Sequence, residues 1–515
     1  MKTLTQIKDW LNTPSHIKCT LADITELGNA SSIGGTLNLS SVAYSDSGTA
    51  YDASIIGGLN FSEQLNLDGA ASLSFGAINL VNAYGVNDKF LTYIWNRRPI
   101  KIYLGDPSWP KSDFVLIFDG LVQDLTTNGE GELTLSLFDK LQWLNDSLTE
   151  NTLQSLTGYS EAQKTVNNVV TPNETILPIV FGECFNVQPL FVDNGTFGNT
   201  GNVYMVHKGL VDNIVEVRDN GVPVEVAKNL NSGTFALTTT PFGTITCDIL
   251  GDATGSYTNT IPGIITKICT SANYGTVKDL SGNPTNRFTS GDLNLGTDTR
   301  AVGVYINSKT NMLQVCNELA QSINASLISP SVTVNYQTGE ISASKLRLVE
   351  LKAPSGSAVV ELNDDYMVAG SLAITEIFPV KPYVKLGYCK NFTVQQTVAS
   401  GINPASKFDE EYWYITKENS DNKTLYRDAG TVEATPTLLI TTTDATAETT
   451  KRLTLWEKPR KLITATYLPH HLFTQLGDTV TIKSSRFGLS NGELGIVYSI
   501  NRDWITGMVQ IGVLV

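Results

Sequence analysis

Histidine and cysteine are scarce, four and six in 515 residues. His16, His207, His470 and His471 fall in no HExxH or other ligand spacing, and the adjacent pair would point to opposite faces of an extended chain. No metal site is expected from them, and they read as surface or turn residues. The closest cysteines, Cys247 and Cys269, stand 22 positions apart, which excludes a CxxC redox pair and a zinc ribbon. All six read as reduced, mostly buried, small apolar residues. No GxSxG elbow and no GxxxxGK[ST] loop occurs, so the commonest hydrolase and nucleotide-binding signatures are missing. No run of about 18 apolar residues is present, and MKTLTQIKDWLNTPSHIK contains no apolar stretch of signal length. Neither membrane insertion nor export is expected, and synthesis and folding in a cytoplasm are. Basic residues number 36 against 50 acidic ones, a net charge of −14. That lacks the cationic surplus needed to grip nucleic acid, though not to let it slide past.

What is present points to strands. Apolar residues make up 41% and charged residues 17%, a globular balance poorer in charge than the usual ~25%. Few good helix formers remain, and abundant Thr, Ser, Asn, Val and Tyr suit half-buried strands and their turns. The length exceeds what one hydrophobic core holds, so roughly three or four domains are expected.

Residues 1–150 open with a short amphipathic stretch at 4–11, including Trp10. Period-two alternation at 59–67 and 71–75 predicts a hairpin. Segment 88–98 predicts a helix, with Phe90, Leu91, Ile94 and Trp95 on one face, an acidic first turn and a basic last turn. Strands are predicted at 100–104, 114–122 and 132–137, and the order fits a closed or strongly curved antiparallel sheet. Residues 151–175 lose apolar periodicity and read as a linker. Residues 176–256 form a small β domain, with Asn220-Gly221 as a hairpin turn and strands at 233–239 and 243–249. Residues 257–365 are mixed α/β. One helix there begins near Pro262. A second, capped by Ser308, carries Met312, Val315, Cys316, Leu319, Ala320 and Ile323 at helical spacing. It is expected to be the longest, near 308–324, packed on the strand at 346–351. Residues 366–515 return to strands, with a polar insertion at 400–452.

Two further features bear on chemistry. Asp364, Asp365, Asp409, Glu410 and Glu411 are carboxylates of the type a glycosidase pairs across a cleft; the last three read better as a solvated loop entering a strand. Tyr412, Trp413 and Tyr414 have rings suited to stacking on sugar, but alternation favours core packing. The glycine-rich pieces at Gly48, Gly57-Gly58 and 195–201 lack phosphate-loop order and read as turns or tips.

Several segments, in order along nearly the whole chain, resemble the baseplate hub or tail-tip hub proteins of long-tailed, siphovirus-like bacteriophages. They are Trp95-Asn96-Arg97-Arg98-Pro99 before Gly105-Asp106; Phe118-Asp119-Gly120-x-Val122; and Leu177-Pro178-Ile179-Val180-Phe181-Gly182 running through Pro189-Leu190-Phe191-Val192-Asp193 to Tyr204-Met205-Val206-His207. After these come Val215-x-Val217-x-Asp219-Asn220-Gly221-Val222-Pro223-Val224 and Leu386-Gly387-Tyr388-x-Lys390-Asn391-Phe392-Thr393. The last is Leu476-Gly477-Asp478-Thr479-Val480 through Arg486-Phe487-Gly488-Leu489 to Arg502-Asp503-Trp504. Each is weak alone; their order is the specific signal. The resemblance implies a mainly β, multidomain chain with α+β parts. Two tube-like antiparallel β-barrel domains, 1–150 and 366–515, would flank the smaller β and α/β domains. It implies a non-enzymatic homotrimer in the virion tail tip, with no catalytic, cofactor or metal residues. Its partners would be a distal tail protein ring, tip or fibre proteins and the tape measure protein, and DNA would pass through without specific binding. A distal tail or fibre-attachment protein is the nearest alternative. A β-rich glycosidase, a polysaccharide-binding protein and a surface adhesin are alternatives of another class. In a conduit, the movable parts are expected at 198–202 and at 400–452, the latter as an arm or hairpin reaching a neighbour.

Overall fold

The computed structural model describes residues 2–13, 16–29, 32–65, 71–74, 76–129, 131–156, 165–166, 169–193, 201–271, 273–274, 276–278, 284–342, 344–402, 406–427 and 433–515. It is mostly β, 43% strand against 19% helix, with several sheets and domains. Among the described residues the two largest sheets contain nine and eight strands, and neither closes into a barrel. This corrects the expected tube-like barrels. The nine-stranded sheet ends at Tyr44–Asp46 on one side and Ile55–Gly58 on the other, and these strands do not pair with each other.

The predicted hairpin at 59–75 forms in its described part, Asn60–Leu65 against Ala71–Ser74, and joins the two sheets. Ile55–Gly58 pairs with Ala77–Val81 at the edge of the nine-stranded sheet. The same two strands then run on as Asn60–Leu65 and Ala71–Ser74, and Asn60–Leu65 pairs with Glu493–Asp503 in the eight-stranded sheet. One hairpin therefore spans both sheets. Its crossing point needs glycine. Gly58 has φ +91°, and a Cβ there would lie 2.1 Å from the Ala77 carbonyl oxygen; at Gly76 one would lie 2.3 Å from the Phe61 ring. Phe61 stacks on Phe118 of the nine-stranded sheet at 5.0 Å. One continuous core takes in apolar residues from both sheets, among them Ile102, Leu135, Val480 and Ile511.

Between the large sheets in sequence lie smaller ones. Ile179–Val187, Val211–Asp219 and Ile245–Asp252 form the centre of a five-stranded sheet, and Asn220-Gly221 makes the predicted turn with φ +50° and +85°. The strands predicted at 233–239 and 243–249 do not pair. Thr234–Leu237 belongs instead to a four-stranded sheet with Asn202–Met205. Ile261–Thr270 is helical, capped by the Thr260 side chain with Pro262 in its first turn. Met312–Gln321 is capped by Asn311 rather than Ser308 and packs on Ala325–Ile328, which pairs with Leu346–Glu350.

Two helix expectations change. Segment 88–98 is a 3₁₀ turn, Asp88–Thr92, followed by extended Tyr93. Arg97 takes φ +59° and Pro99 opens a strand, which together bar a continuous helix. Phe90 and Trp95 are buried while Leu91 and Ile94 are exposed. The longest helix among the described residues is Thr442–Trp456, 15 residues, which begins within the segment read as a polar insertion, 400–452, and runs past its end. Its threonines are poor helix formers, but Thr446, Thr449 and Thr450 return their hydroxyls to carbonyls four residues back. Ala445, Leu453, Leu455 and Trp456 are buried. Tertiary packing overrides propensity here. Trp413–Glu418 pairs with Tyr383–Tyr388, and the helix packs on both, so the described part of 400–452 is tied to its own chain. Residues 403–405 and 428–432 lie outside the described residues, as do Phe75, 194–200 with most of the expected tip, and 157–164 and 167–168 of the expected linker.

Candidate assembly surface

The four histidines do not behave as one class. His16 is half-buried against Trp10, and His470 stacks flat on Tyr366 at 4.2 Å. His207 and His471 are buried, which corrects the surface reading, although His471 does lie in a turn. The His207 Nδ1 accepts the Val180 N–H at 3.1 Å, so the proton sits on Nε2, facing the Tyr274 hydroxyl at 3.4 Å. Tyr274 in turn donates to Asp252 at 3.1 Å. Burial pushes His207 well down despite the pull of Asp252. It is a neutral post between sheet and helix, with its basic nitrogen already occupied. His471 lies in the turn Pro469–His471 and is pushed down to about 3 by burial and by His470.

The Ser485 N–H donates to Asp364, and Asp365 lies beside it in a 3₁₀ turn. Asp409, Glu410 and Glu411 are exposed ahead of Trp413–Glu418; Glu410 and Glu411 lie in the expected loop, whereas Asp409 ends the short helix Ser406–Asp409. Trp413 and Tyr414 are exposed too, against the core-packing expectation. Each has only a rim contact, Trp413 edge-on to Tyr388 and Tyr414 beneath Lys385 Nζ at 4.4 Å. The six cysteines are unbridged, and all but Cys389 are buried. Among the described residues no group of three or more His, Cys, Asp or Glu is placed to hold a metal, and no helix is long and apolar enough to cross a membrane.

Many of the segments that carry the family resemblance turn out to hold the fold. Asp119 pairs with Lys140 at 2.7 Å. The Asn391 side chain donates to the carbonyls of Phe408 and Glu410 and accepts from Asn186. Asp478 accepts the Gln475 N–H and the Tyr336 hydroxyl. Arg502, buried, donates to the carbonyls of Leu472 and Thr474 and pairs with Glu63 of the spanning hairpin at 3.0 Å.

One charged cluster carried no sequence signal, because its members are scattered. Glu448, fully buried on Thr442–Trp456, meets Arg300 at 2.6 Å, Lys451 at 2.7 Å and Arg452 at 2.7 Å. Arg300 also binds Asp298 and Glu350. Burial pulls the Arg300 guanidinium down, but its bonds to Asp298 and Glu350 outweigh this and hold it raised. Lys451 and Arg452 donate onward to the Ile323 and Gln321 carbonyls, satisfying the open end of Met312–Gln321. Three acids and three bases thus clamp the longest helix to the α/β region.

The surface feature with most bearing on function is the loop between Ala77–Val81 and Pro99–Gly105. Its frame is rigid. Asn82 accepts from the Asn87 N–H and donates to Asp88, Asn87 donates to the Val81 carbonyl, and the Trp95 indole donates to the Phe90 carbonyl. Its outside is apolar: Tyr84 is fully exposed, and Val86, Leu91 and Ile94 are exposed as well. Tyr84 also sits at φ +59°, a left-handed conformation that costs a bulky residue about 1 kcal/mol or more. Ile56 is exposed on the free edge strand Ile55–Gly58, and Ile377 on the edge strand Ala373–Phe378 of the eight-stranded sheet. Ordered apolar loops next to open sheet edges are surfaces suited to protein contact.

No known family model matches the sequence, and no curated protein is recognisably similar. Solved structures with a related course of chain include a 43 kDa tail protein of prophage MuSo2 from Shewanella oneidensis, at 11% identity, covering 96% of this chain and 98% of that one, TM-score 0.36. A tail protein from Neisseria meningitidis MC58 has 8% identity, covers 96% of each chain and gives a TM-score of 0.39. A chain from the virion of a native gene transfer agent has 10% identity, covers 72% of this chain and 91% of that one, and gives 0.40. Scores this low assign neither a fold family nor a role.

Proposed function

We propose that this chain is a structural protein of a bacteriophage tail, and within the tail the hub of the tip or baseplate. There it closes the tube, anchors tip or fibre proteins and forms part of the DNA-ejection conduit. The observation that carries the reading is the hairpin 55–81, which locks two large open sheets into one body while leaving sheet edges and the rigid apolar loop 82–95 outside. A body of that kind holds its shape alone and still presents surface for neighbours, as a ring component must. The ordered run of hub-like sequence segments supports the same reading. The hub is a homotrimer contacting a distal tail ring, tip or fibre proteins and the tape measure protein. It is not an enzyme. Its net charge of −14 keeps DNA from adhering as it passes. A reconstruction of the assembled particle tests this: three copies at the tail end are expected, and six copies there, or none in the tail, overturn it.

The exposure of Trp413 and Tyr414 favours a second reading, polysaccharide binding. Titrating the purified chain with host cell-wall and surface polysaccharides, while following tryptophan fluorescence and release of reducing ends, separates the two. Binding lost in Trp413→Ala supports the second reading, and cleavage lost in Asp409→Asn or Glu410→Gln would revive a glycosidase.

A further inference from the structure

We propose that Phe242 anchors a second copy of the chain, its ring seated in the neighbour's cavity between the strands Leu190–Asp193 and Ile245–Asp252. The inference deepens the self-association in the hub reading. Phe242 is 99% exposed, yet its loop is held still. The two oxygens of the Asp219 carboxylate accept the N–H groups of Phe242 and Gly243, each at 2.7 Å, and the Asn220 N–H donates to the Thr244 carbonyl. Pro241 precedes it. A large ring displayed in water on an immobile backbone loses little freedom on docking, the condition under which aromatic anchors dominate an interface.

The structure also carries what would cover it. A cavity of about 470 Å³ adjoins the same loop, lined by Pro178, Pro189, Leu190, Phe191, Tyr204 and Ile245 among others. Its aromatic wall is already ordered: Phe191 meets Tyr204 edge-on at 5.3 Å, and Tyr204 stacks on Phe235 at 5.5 Å. Pro241 and Gly243, on either side of the knob, line the cavity, while Phe242 does not. Knob and socket are therefore side by side on one chain, and the knob stands outside its own socket. Copies related by a rotation axis close to this loop fill each other's, which places the 241–245 loops together around that axis.

The test uses the full-length chain with a photo-crosslinking phenylalanine at position 242, mixed as isotopically light and heavy copies and concentrated. Mixed light–heavy crosslinks from position 242 to 176–178, 189–191 or 204 are expected. In sedimentation, Phe242→Asp should weaken self-association by about 30-fold or more, and Phe242→Tyr should restore most of it. Crosslinks confined to one copy, crosslinks elsewhere, no crosslinks, or unchanged association in Phe242→Asp overturn the proposal. Failure here leaves the tail assignment standing, since that is decided by where the chain lies in the particle.

Discussion

Two junctions hold distant parts of this chain together, and they are made of opposite materials. Where the hairpin 55–81 crosses between the large sheets, the contact is a continuous apolar core with one buried ion pair, Glu63–Arg502, inside it. Where Thr442–Trp456 meets the α/β region, the contact is a cluster of three acids and three bases around Glu448. At the first junction Arg502 is the cation that neutralises the Glu63 carboxylate, with the Ser331 N–H as a further donor, so loss of the guanidinium leaves a buried charge without a counter-ion. The second shares Glu448, Glu350, Arg300 and Lys451 among several charged neighbours, so one loss is partly absorbed.

Substitutions can break or sharpen this contrast. Arg502→Met, which strands Glu63, is expected to cost about 3–5 kcal/mol in denaturant unfolding, with part of it recovered in Glu63→Gln/Arg502→Met. Asp139 probes the same core through pH. Fully buried, with one oxygen capping the Leu141 N–H and the other unpartnered, its carboxyl is pushed up to about 7 by burial. The unfolded chain releases this proton near pH 4 while the folded chain keeps it. Stability should therefore fall as pH rises from about 4 to 7 and level off above, a loss on the order of 4 kcal/mol. Asp139→Asn should remove that slope; an unchanged slope between pH 4 and 8 would show that this carboxyl ionises normally. At the charged junction, Glu448→Gln should cost less, about 1–3 kcal/mol, and speed amide exchange chiefly within Thr442–Trp456. Equal losses for Arg502→Met and Glu448→Gln would erase the distinction. Tyr84→Asn should stabilise the isolated chain by about 0.5–1 kcal/mol, since Asn accepts the left-handed conformation, while weakening its incorporation into particles.

How much of this was legible depended on whether the signal was local. The alternation in 132–137 marked a strand whose Leu133, Leu135 and Leu137 are all buried, and Asn220-Gly221 marked its turn. Thr442–Trp456 was missed because its stabilisation comes from Arg300 and Glu350, about a hundred residues or more away, while its own threonines argue against a helix. The spacing at 88–98 mimics a helix, because an amphipathic pattern cannot show that Arg97 turns left-handed. That the sheets stay open was inaccessible too: the edge strands Tyr44–Asp46 and Ile55–Gly58 are close in sequence yet do not pair, and no local pattern shows this. Of the surface features, Tyr84 and Phe242 gave no warning: only the folded chain shows that these rings face water.

The pairing of Asn60–Leu65 with Glu493–Asp503 also fixes a timetable. Gln64 meets Ser499, so the hairpin's partner is synthesised more than 430 residues later. At about 5–20 residues per second that interval lasts roughly 20–90 s. During it, Asn60–Leu65 lacks its partner strand in the eight-stranded sheet and the Glu63 carboxylate lacks the Arg502 guanidinium. The nascent chain must carry an open strand and an uncompensated acid through most of its synthesis. Late closure of this kind makes for slow folding and long exposure to misassociation. The unit that ends as the most firmly joined part of the molecule is the last to become safe, and its yield in a cell should depend on what shields residues 60–65 until the final strands emerge.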